Sequence, residues 1–403
     1  MTAAVPSRVV VVGAGLAGLR TAQGLRRAGF DGELVVLGEE PHLPYDRPPL
    51  SKQLLLGSWD ADRVRLAAPD VLAGAEIAVR TGERVTGLDP AGHRLTLASG
   101  EPLDYGALVV ATGATPHAWP FDARGLAGVH DLRRLEDALA LADAFTAGAR
   151  VAVVGAGFIG TEVASAARQR GLEVTVVDAS LHPLEAALGP VGAGALLDLH
   201  RSRGVTFRLG RRVTGLTGTG RVEALVLDDG SRVPADVVIV GIGVRPATDW
   251  LAGHGVDVRH GLPAEATGTT PFPDVWAVGD VAAWPAAGGG PPRPVEHWTN
   301  AVEQAGLVSA NLLRAPAERR HQEPLPYVWT DHYGIRVQQL GELRAGDETT
   351  LVHGSVAALE FVLGYCRDGR VTGTLSVGLP TAFPKLKAAV RAGRSPADLS
   401  ALL

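Results

Sequence analysis

Two stretches of the chain share one hydrophobic pattern. RVVVVGAGLAGL (8–19) and RVAVVGAGFIGT (150–161) each begin with a short β-branched run, pass through a glycine cluster, and continue with helical spacing. A second apolar run follows each, ELVVLGE ending on Glu39 and EVTVVD ending on Asp178. Two further apolar runs end in turns: LVVATGATP (108–116) and TTPFPDVWAVGDVA (269–282). A helical pattern starts near Thr299 in TNAVEQAGLVSANLL. From about residue 321 the pattern changes to short strands, RVQQLGEL, ALEFVLGY and RVTGTLSVG, closed by a helix over 383–393. PAAGGGPPRP (285–294) is too rich in Pro and Gly for regular structure and predicts a surface loop.

The glycine clusters are both GxGxxG. With 51 glycines in 403 residues such a match arises by chance about once, so its context decides. Each cluster lies between a buried-type strand and a helix, and each next strand ends on an acid. That layout lets a backbone approach a pyrophosphate at a helix N-terminus, while the acid accepts ribose hydroxyls. Two dinucleotide sites follow, with Gly13, Gly15, Gly18 and Glu39 in one, and Gly155, Gly157, Gly160 and Asp178 in the other, Phe158 and Ile159 lying inside the second turn. No Arg follows Asp178 closely, so a 2′-phosphate would meet a carboxylate alone. NADH is expected over NADPH.

Composition narrows the chemistry. One cysteine, Cys366 in FVLGYC, excludes an internal disulfide, a CxxC pair and a cysteine-ligated cluster, and reads as a buried small side chain. The twelve histidines show no metal-ligand spacing. A net charge of −5 gives no bulk attraction to nucleic acid or an anionic membrane. No apolar run reaches about 18 residues, and the first strand starts by Arg8, which points to a cytoplasmic protein without a targeting segment. The 38 basic residues include only three lysines, Lys52, Lys385 and Lys387. Lys52 ends HLPYDRPPLSK (42–52), a loop stiffened by proline.

That loop, the paired motifs, LRRLEDA (132–138), GIGVRP (241–246), WAVGD, EHWTNAVEQA (296–305) and PYVWTDHYG (326–334) together resemble the oxygenase-coupled NADH–ferredoxin reductases. The resemblance runs from about residue 8 to the C-terminus. It implies an α/β chain with two Rossmann-like dinucleotide-binding domains, one for FAD (1–113 and 242–320) and one for NAD (114–241). A C-terminal α+β domain (321–403) would complete it.

The resemblance also implies residue roles. Lys52 and Glu162 would pair beside the flavin N5, where a compact cation favours hydride arrival. Asp280 would bind the ribityl chain, and the helix after it would direct its positive end to the ring. Ala17, Glu39, Val85, Thr112, Gly113, Arg133 and Trp298 would complete the FAD contacts. Phe158 and Gly243 would border the nicotinamide pocket. Thr115, Thr161 and His332 stand where relatives frequently have Arg, Leu and Gln.

The implied activity passes electrons from NADH through FAD to an acidic [2Fe–2S] ferredoxin, serving a cytochrome P450 or another oxygenase. Rubredoxin, a quinone, monodehydroascorbate or a redox-sensing role remain alternatives, and the protein would be a monomer or homodimer. An acidic carrier needs a local positive patch. Lys387, Arg391 and Arg394 at i, i+4 and i+7 of one helix, with Lys385 beside them, are the candidate, and Arg319–Arg320 a weaker one.

Overall fold

Val9–Val12 and Val151–Val154 each form the buried centre of a parallel sheet, and the chain wraps two nucleotide folds around them. The computed structural model describes residues 5–121, 123, 125–286, 291–322, 325–344 and 346–403. They divide into two compact units, one of 1–46, 64–115 and 244–326, the other of 47–63, 116–243 and 327–403.

In the first unit the sheet order is Val275–Ala277, Ala107–Val110, Arg8–Val12, Glu33–Gly38, Ala78–Thr81, all parallel. Its strands read as near-continuous apolar runs because both faces are covered, as parallel sheets require. Helix Leu16–Arg27 follows the first strand. It lies so close to helix Trp298–Leu312 that a side chain at Gly24 would come 2.3 Å from Ser309 Oγ. A small antiparallel sheet, Val85–Asp89, Arg94–Leu97 and Pro102–Asp104, completes the unit.

The second unit repeats the design. Its parallel order is Val205–Leu209, Glu173–Asp178, Arg150–Val154, Val237–Val240, Val129–His130, with helix Phe158–Gln169 after the central strand. Helix Glu185–Ser202 is kinked where Pro190 lacks an N–H and Gly189 leaves helical geometry. There the Tyr365 hydroxyl donates to the Leu188 carbonyl at 2.6 Å. The C-terminal part is a five-stranded antiparallel sheet, ordered Tyr327–His332, Ile335–Gly341, Arg370–Val377, Glu360–Arg367, Glu348–Ser355. Helices Phe383–Arg391 and Pro396–Leu402 pack on it.

The α/β class with two nucleotide folds and a terminal sheet domain is therefore as expected, with some differences in detail. The three strands anticipated after residue 321 are joined by Tyr327–His332 and Glu348–Ser355. The last part of the chain holds two short helices, the first stopping at Arg391 rather than 393, because Gly393 adopts φ +55°. Of the proposed loop 285–294, residues 287–290 lie outside the described residues, and Arg293 forms a bridge with Trp284. Cys366 is buried in strand Glu360–Arg367, where burial pushes its thiol up.

Candidate active site

The two glycine turns are nearly superimposable in their physics. Gly13 has φ +116° and Gly155 φ +105°, and a Cβ on either would meet a carbonyl oxygen, of Ala111 or Gly241, at 2.1 Å. At Gly18 and Gly160 a Cβ would strike the oxygen of Gly13 at 1.9 Å or of Gly155 at 2.0 Å, so helix and strand can close only over glycine. At Gly15 and Gly157 the same test finds open space within 4 Å. Those two glycines are the N-caps of their helices, which have no side-chain cap and no acid in the first turn. Open backbone at an uncapped helix start is what a pyrophosphate needs, so both turns fit a dinucleotide.

Around the first turn, within the first unit, Gly279 packs on Ala17: a Cβ on Gly279 would approach the Ala17 Cβ at 2.9 Å. Asp280 therefore enters beside the glycine turn. Gln304 Oε1 holds the Gly279 N–H at 2.7 Å. Thr112 Oγ1 donates to the Ala247 carbonyl at 2.9 Å, and Gly113 accepts from the Ala247 N–H, which ties down the ATG turn. Glu39 is exposed just past its strand, and Val85 is buried. Trp298 opens its helix with Nε1 donating to Asp46 Oδ1 at 2.8 Å. His297, the residue before it, keeps Nδ1 shut from solvent with no partner, and burial lowers its pKa against the pull of Asp280. An orphaned buried nitrogen at an uncapped helix start again fits a bound polar group.

The second unit places Asp178 under its own glycine turn. Its Oδ2 accepts the Ala156 N–H at 2.6 Å and its Oδ1 the Ser180 N–H at 2.7 Å, which orients the carboxylate and leaves lone pairs for a ribose. Ile159 and Ile242 are large apolar side chains left exposed, at 41% and 39%. They follow strands Arg150–Val154 and Val237–Val240, where the sheet order reverses and an open α/β sheet takes its ligand. Phe158 is half-buried beside Ile159, and Gly243 has φ +95°. Arg133 is held differently from the glycine-turn residues: its N–H donates to Asp137 Oδ2 at 3.0 Å and its carbonyl accepts from Arg47.

The same unit joins Lys52 to Glu162. Pro48 and Pro49 start a single 3₁₀ turn ending at Ser51, which aims Lys52 at helix Phe158–Gln169. Lys52 Nζ lies 2.8 Å from Glu162 Oε2, with side chains only 10% and 6% exposed. Ser51 Oγ donates to the same oxygen, and Thr330 Oγ1 donates to Oε1 at 2.6 Å. A buried ion pair survives only when its remaining lone pairs are satisfied, and here three donors share one carboxylate.

Thr330 leads to two histidines, His332, which the sequence marked only as a departure from relatives, and His200, which sequence reading missed; both are fully buried and lie 3.3 Å apart. They are 132 residues apart in the chain, and no spacing signals such a pair. Burial alone pushes His200 down to about 4. His332 is driven well below its usual value by burial, then by His200 and Lys52, with the Thr161 carbonyl opposing.

The sequence profile of the pyridine nucleotide-disulphide oxidoreductases matches residues 7–305, and a reductase C-terminal profile matches 327–402. The chain belongs to the pyridine nucleotide-disulphide oxidoreductase family. Members of this family bind FAD and NAD(H), and both glycine turns suit that pairing. Among similar proteins, the ferredoxin–NAD(+) reductase component of the biphenyl dioxygenase system of Paraburkholderia xenovorans is 35% identical, covering 93% of this chain and 91% of its own. Putidaredoxin reductase of Pseudomonas putida is 34% identical over 94% and 90%. The solved covalent putidaredoxin reductase–putidaredoxin complex aligns with a TM-score of 0.92 at 32% identity, covering 98% of this chain and 95% of that one. Among the described residues no helix is long and apolar enough to cross a membrane, and no histidine, cysteine or carboxylate cluster could hold a metal.

The basic segment near the C-terminus is less regular than its spacing suggests. Because the helix stops at Arg391, Arg394 lies beyond it and cannot share the face of Lys387 and Arg391. Its backbone instead joins the Ala389 carbonyl and the Val371 N–H. Lys385 Nζ donates to the Leu402 carbonyl at 2.7 Å. In the first unit Arg319 stacks over Trp276 at 4.7 Å, and Arg320 is tied to Asn311 through its backbone.

Proposed function

We propose that the protein is an FAD-dependent NADH:ferredoxin reductase that delivers electrons to an acidic [2Fe–2S] ferredoxin feeding a cytochrome P450 or other oxygenase. The observation that carries this reading is the solitary buried Cys366 in a chain with two dinucleotide turns. Related oxidoreductases that pass electrons to a disulfide need a cysteine pair; this chain has none, so the electrons must leave to a separate carrier. Bound FAD supplies a two-electron acceptor for hydride that can release electrons singly.

The residues would divide the work as follows. Gly13, Gly15, Ala17 and Gly18 would hold the FAD pyrophosphate, Glu39 its ribose and Asp280 its ribityl chain, with Val85, Thr112, Gly113, Arg133 and Trp298 closing around it. Gly155, Gly157, Phe158, Ile159, Gly160 and Gly243 would form the NADH site, with Asp178 on the adenosine ribose favouring NADH. Lys52, held by Glu162, would place a fixed positive charge where hydride arrives, without reorganisation at that moment. Lys387 and Arg391 would steer the ferredoxin. Enzymes drawing on NADH and a soluble electron carrier work where both are found, which places this one in the cytoplasm.

The test is anaerobic. The purified yellow protein is reduced with NADH in a stopped-flow instrument and mixed with oxidised [2Fe–2S] ferredoxin, rubredoxin or a quinone. Fast bleaching by NADH and fast reoxidation by ferredoxin are expected. Faster reoxidation by rubredoxin or quinone, or a long-lived reduced state with every acceptor, would overturn the assignment.

A further inference from the structure

The carboxylate assigned to the NADH ribose has a guanidinium for a neighbour that no local spacing shows. Arg211 stands 33 residues after Asp178 (211 minus 178), just past the edge strand Val205–Leu209 of the same sheet. Its N–H donates to the Asp178 carbonyl at 3.0 Å, and the Gly210 N–H donates to the Ser180 carbonyl at 3.1 Å. Leu181 lies over Gly210, where a Cβ would meet Leu181 Cδ2 at 2.6 Å. The segment after Asp178 is thus seamed to the turn that carries Arg211. Both follow the C-terminal ends of parallel strands, where an open α/β sheet takes its ligand.

That guanidinium is turned to other carboxylates. Arg211 Nε lies 3.0 Å from Asp229 Oδ2, and its Nη1 lies 3.9 Å from Asp228 Oδ1. Asp178 instead gives its oxygens to the Ala156 and Ser180 N–H groups. Asp228 and Asp229 sit in the tight turn between strands Ala224–Leu227 and Arg232–Pro234. Ser231 fixes Asp229: its Oγ at 2.6 Å and its N–H at 3.0 Å both donate to Oδ1, which leaves Oδ2 for Arg211. The Ser231 bonds, and then Arg211, hold the Asp229 carboxyl below the usual carboxylate range.

We propose that Asp228 and Asp229 are specificity-determining residues that hold Arg211 away from the adenosine ribose, and that Arg211 is the cation a 2′-phosphate would recruit if it were released. The proposal rests on the reading that NADH binds with its adenosine ribose on Asp178. A 2′-phosphate carries close to two negative charges at neutral pH and is best met by a guanidinium fork. The residues next to Asp178 are Ala179, Ser180 and Leu181, none of them a cation. With Arg211 matched by two aspartates, the phosphate would meet Asp178 and no unpaired positive charge. Arg211 and both aspartates are partly exposed, so their pairing contributes little to holding the fold. A contact of that strength is suited to setting a ratio between two cofactors that differ by one phosphate.

Oxidised holoenzyme is titrated by calorimetry with adenosine 2′,5′-bisphosphate and with 5′-AMP, and NADPH and NADH are compared in anaerobic stopped-flow reduction of the flavin. Asp228→Asn with Asp229→Asn removes the charges and keeps an oxygen for Ser231. In that variant the affinities for the bisphosphate and for NADPH should rise about fivefold, the top of the range for an exposed ion pair. Those for 5′-AMP and NADH should keep their wild-type values. Adding Arg211→Ala should abolish the gain, and adding Arg211→Lys should retain part of it. No rise in the asparagine variant would overturn the proposal. So would a rise that survives Arg211→Ala, since relief of repulsion would then account for it. Asp178→Asn tests the underlying reading separately and should weaken both 5′-AMP and NADH. If it weakens both and the asparagine variant gains nothing, only the role of Asp228 and Asp229 falls. If it changes neither, the ribose lies elsewhere, and the NADH-site assignment falls together with the proposal.

Discussion

Acidifying this protein should expose the cost of its buried histidines, and His200→Gln isolates one of them. His200 has an ordinary value of 6.5 and a folded value of about 4. Between those values the unfolded chain binds more protons than the folded one, so stability falls as pH falls below 6.5. The loss is complete only below the folded value. Integrating between pH 7 and pH 5 gives about 2 kcal/mol from His200 alone, against a typical domain stability of about 5–15 kcal/mol. His332 adds to the loss in the same direction, from burial, His200 and Lys52. The groups beyond His200 do not reverse it: its Nδ1 lies 3.1 Å from the Tyr333 hydroxyl, Arg168 and Arg203 lie near that ring, and burial holds its phenol up at about 12. Urea unfolding of wild type and His200→Gln at both pH values, followed by tryptophan fluorescence, measures the difference. The wild type should lose about 2 kcal/mol more than the variant on going from pH 7 to pH 5. Equal losses in the two proteins would refute the argument, because His200 would then titrate alike folded and unfolded.

Other outcomes follow from the same geometry. Lys52→Met should slow flavin reduction by NADH and destabilise the protein by about 3 kcal/mol, since it strands a buried carboxylate; a Lys52→Met/Glu162→Gln cycle that adds up in stopped-flow rates would mean the pair is not a unit. Asp178→Ser with Ala179→Arg should move cofactor preference from NADH towards NADPH, and a wild type already faster with NADPH would contradict the role given to that acid. Lys387→Glu with Arg391→Glu should slow ferredoxin reduction at low salt and approach wild type as salt screens the charge, while ferricyanide reduction persists; unaltered ferredoxin kinetics at low ionic strength would move the docking site elsewhere.

Much of this architecture is local and therefore visible in the chain. Gly13, Gly18, Gly155 and Gly160 each sit where a single Cβ would strike a carbonyl, so the fold writes itself into spacing that a reader can see. Lys52 was conspicuous for a different reason, as a rare residue type at the end of a proline-stiffened loop. Strand Glu348–Ser355 left no such mark: it is the sheet's edge, mostly exposed, and ETTLVHGS has little apolar alternation. Helix Glu185–Ser202 hid behind Gly189 and Pro190, which normally signal a break and here mark only a kink. His200 was invisible because its partner comes from another element far along the chain, and only tertiary folding brings them together. Arg394 was misplaced for a simpler reason, since counting by helical period ignored the stop that Gly393 imposes.

The second unit is assembled from three separated lengths of chain, 47–63, 116–243 and 327–403. On a ribosome this sets an order of events. Lys52 emerges early, Glu162 next, and Thr330 only after 278 residues beyond Lys52 have been added, since 330 minus 52 is 278. At about 5–20 residues per second that interval is roughly 15–55 s. For the last 168 of those residues (330 minus 162), roughly 8–35 s, the nascent protein holds an acid that has Ser51 and Lys52 but not yet Thr330 to donate to it, and a glycine-rich nucleotide fold whose C-terminal sheet does not yet exist. The unit cannot close until its third length, 327–403, is being made, so premature termination anywhere before Thr330 yields a chain with the cofactor turns in place and the reaction centre unsealed.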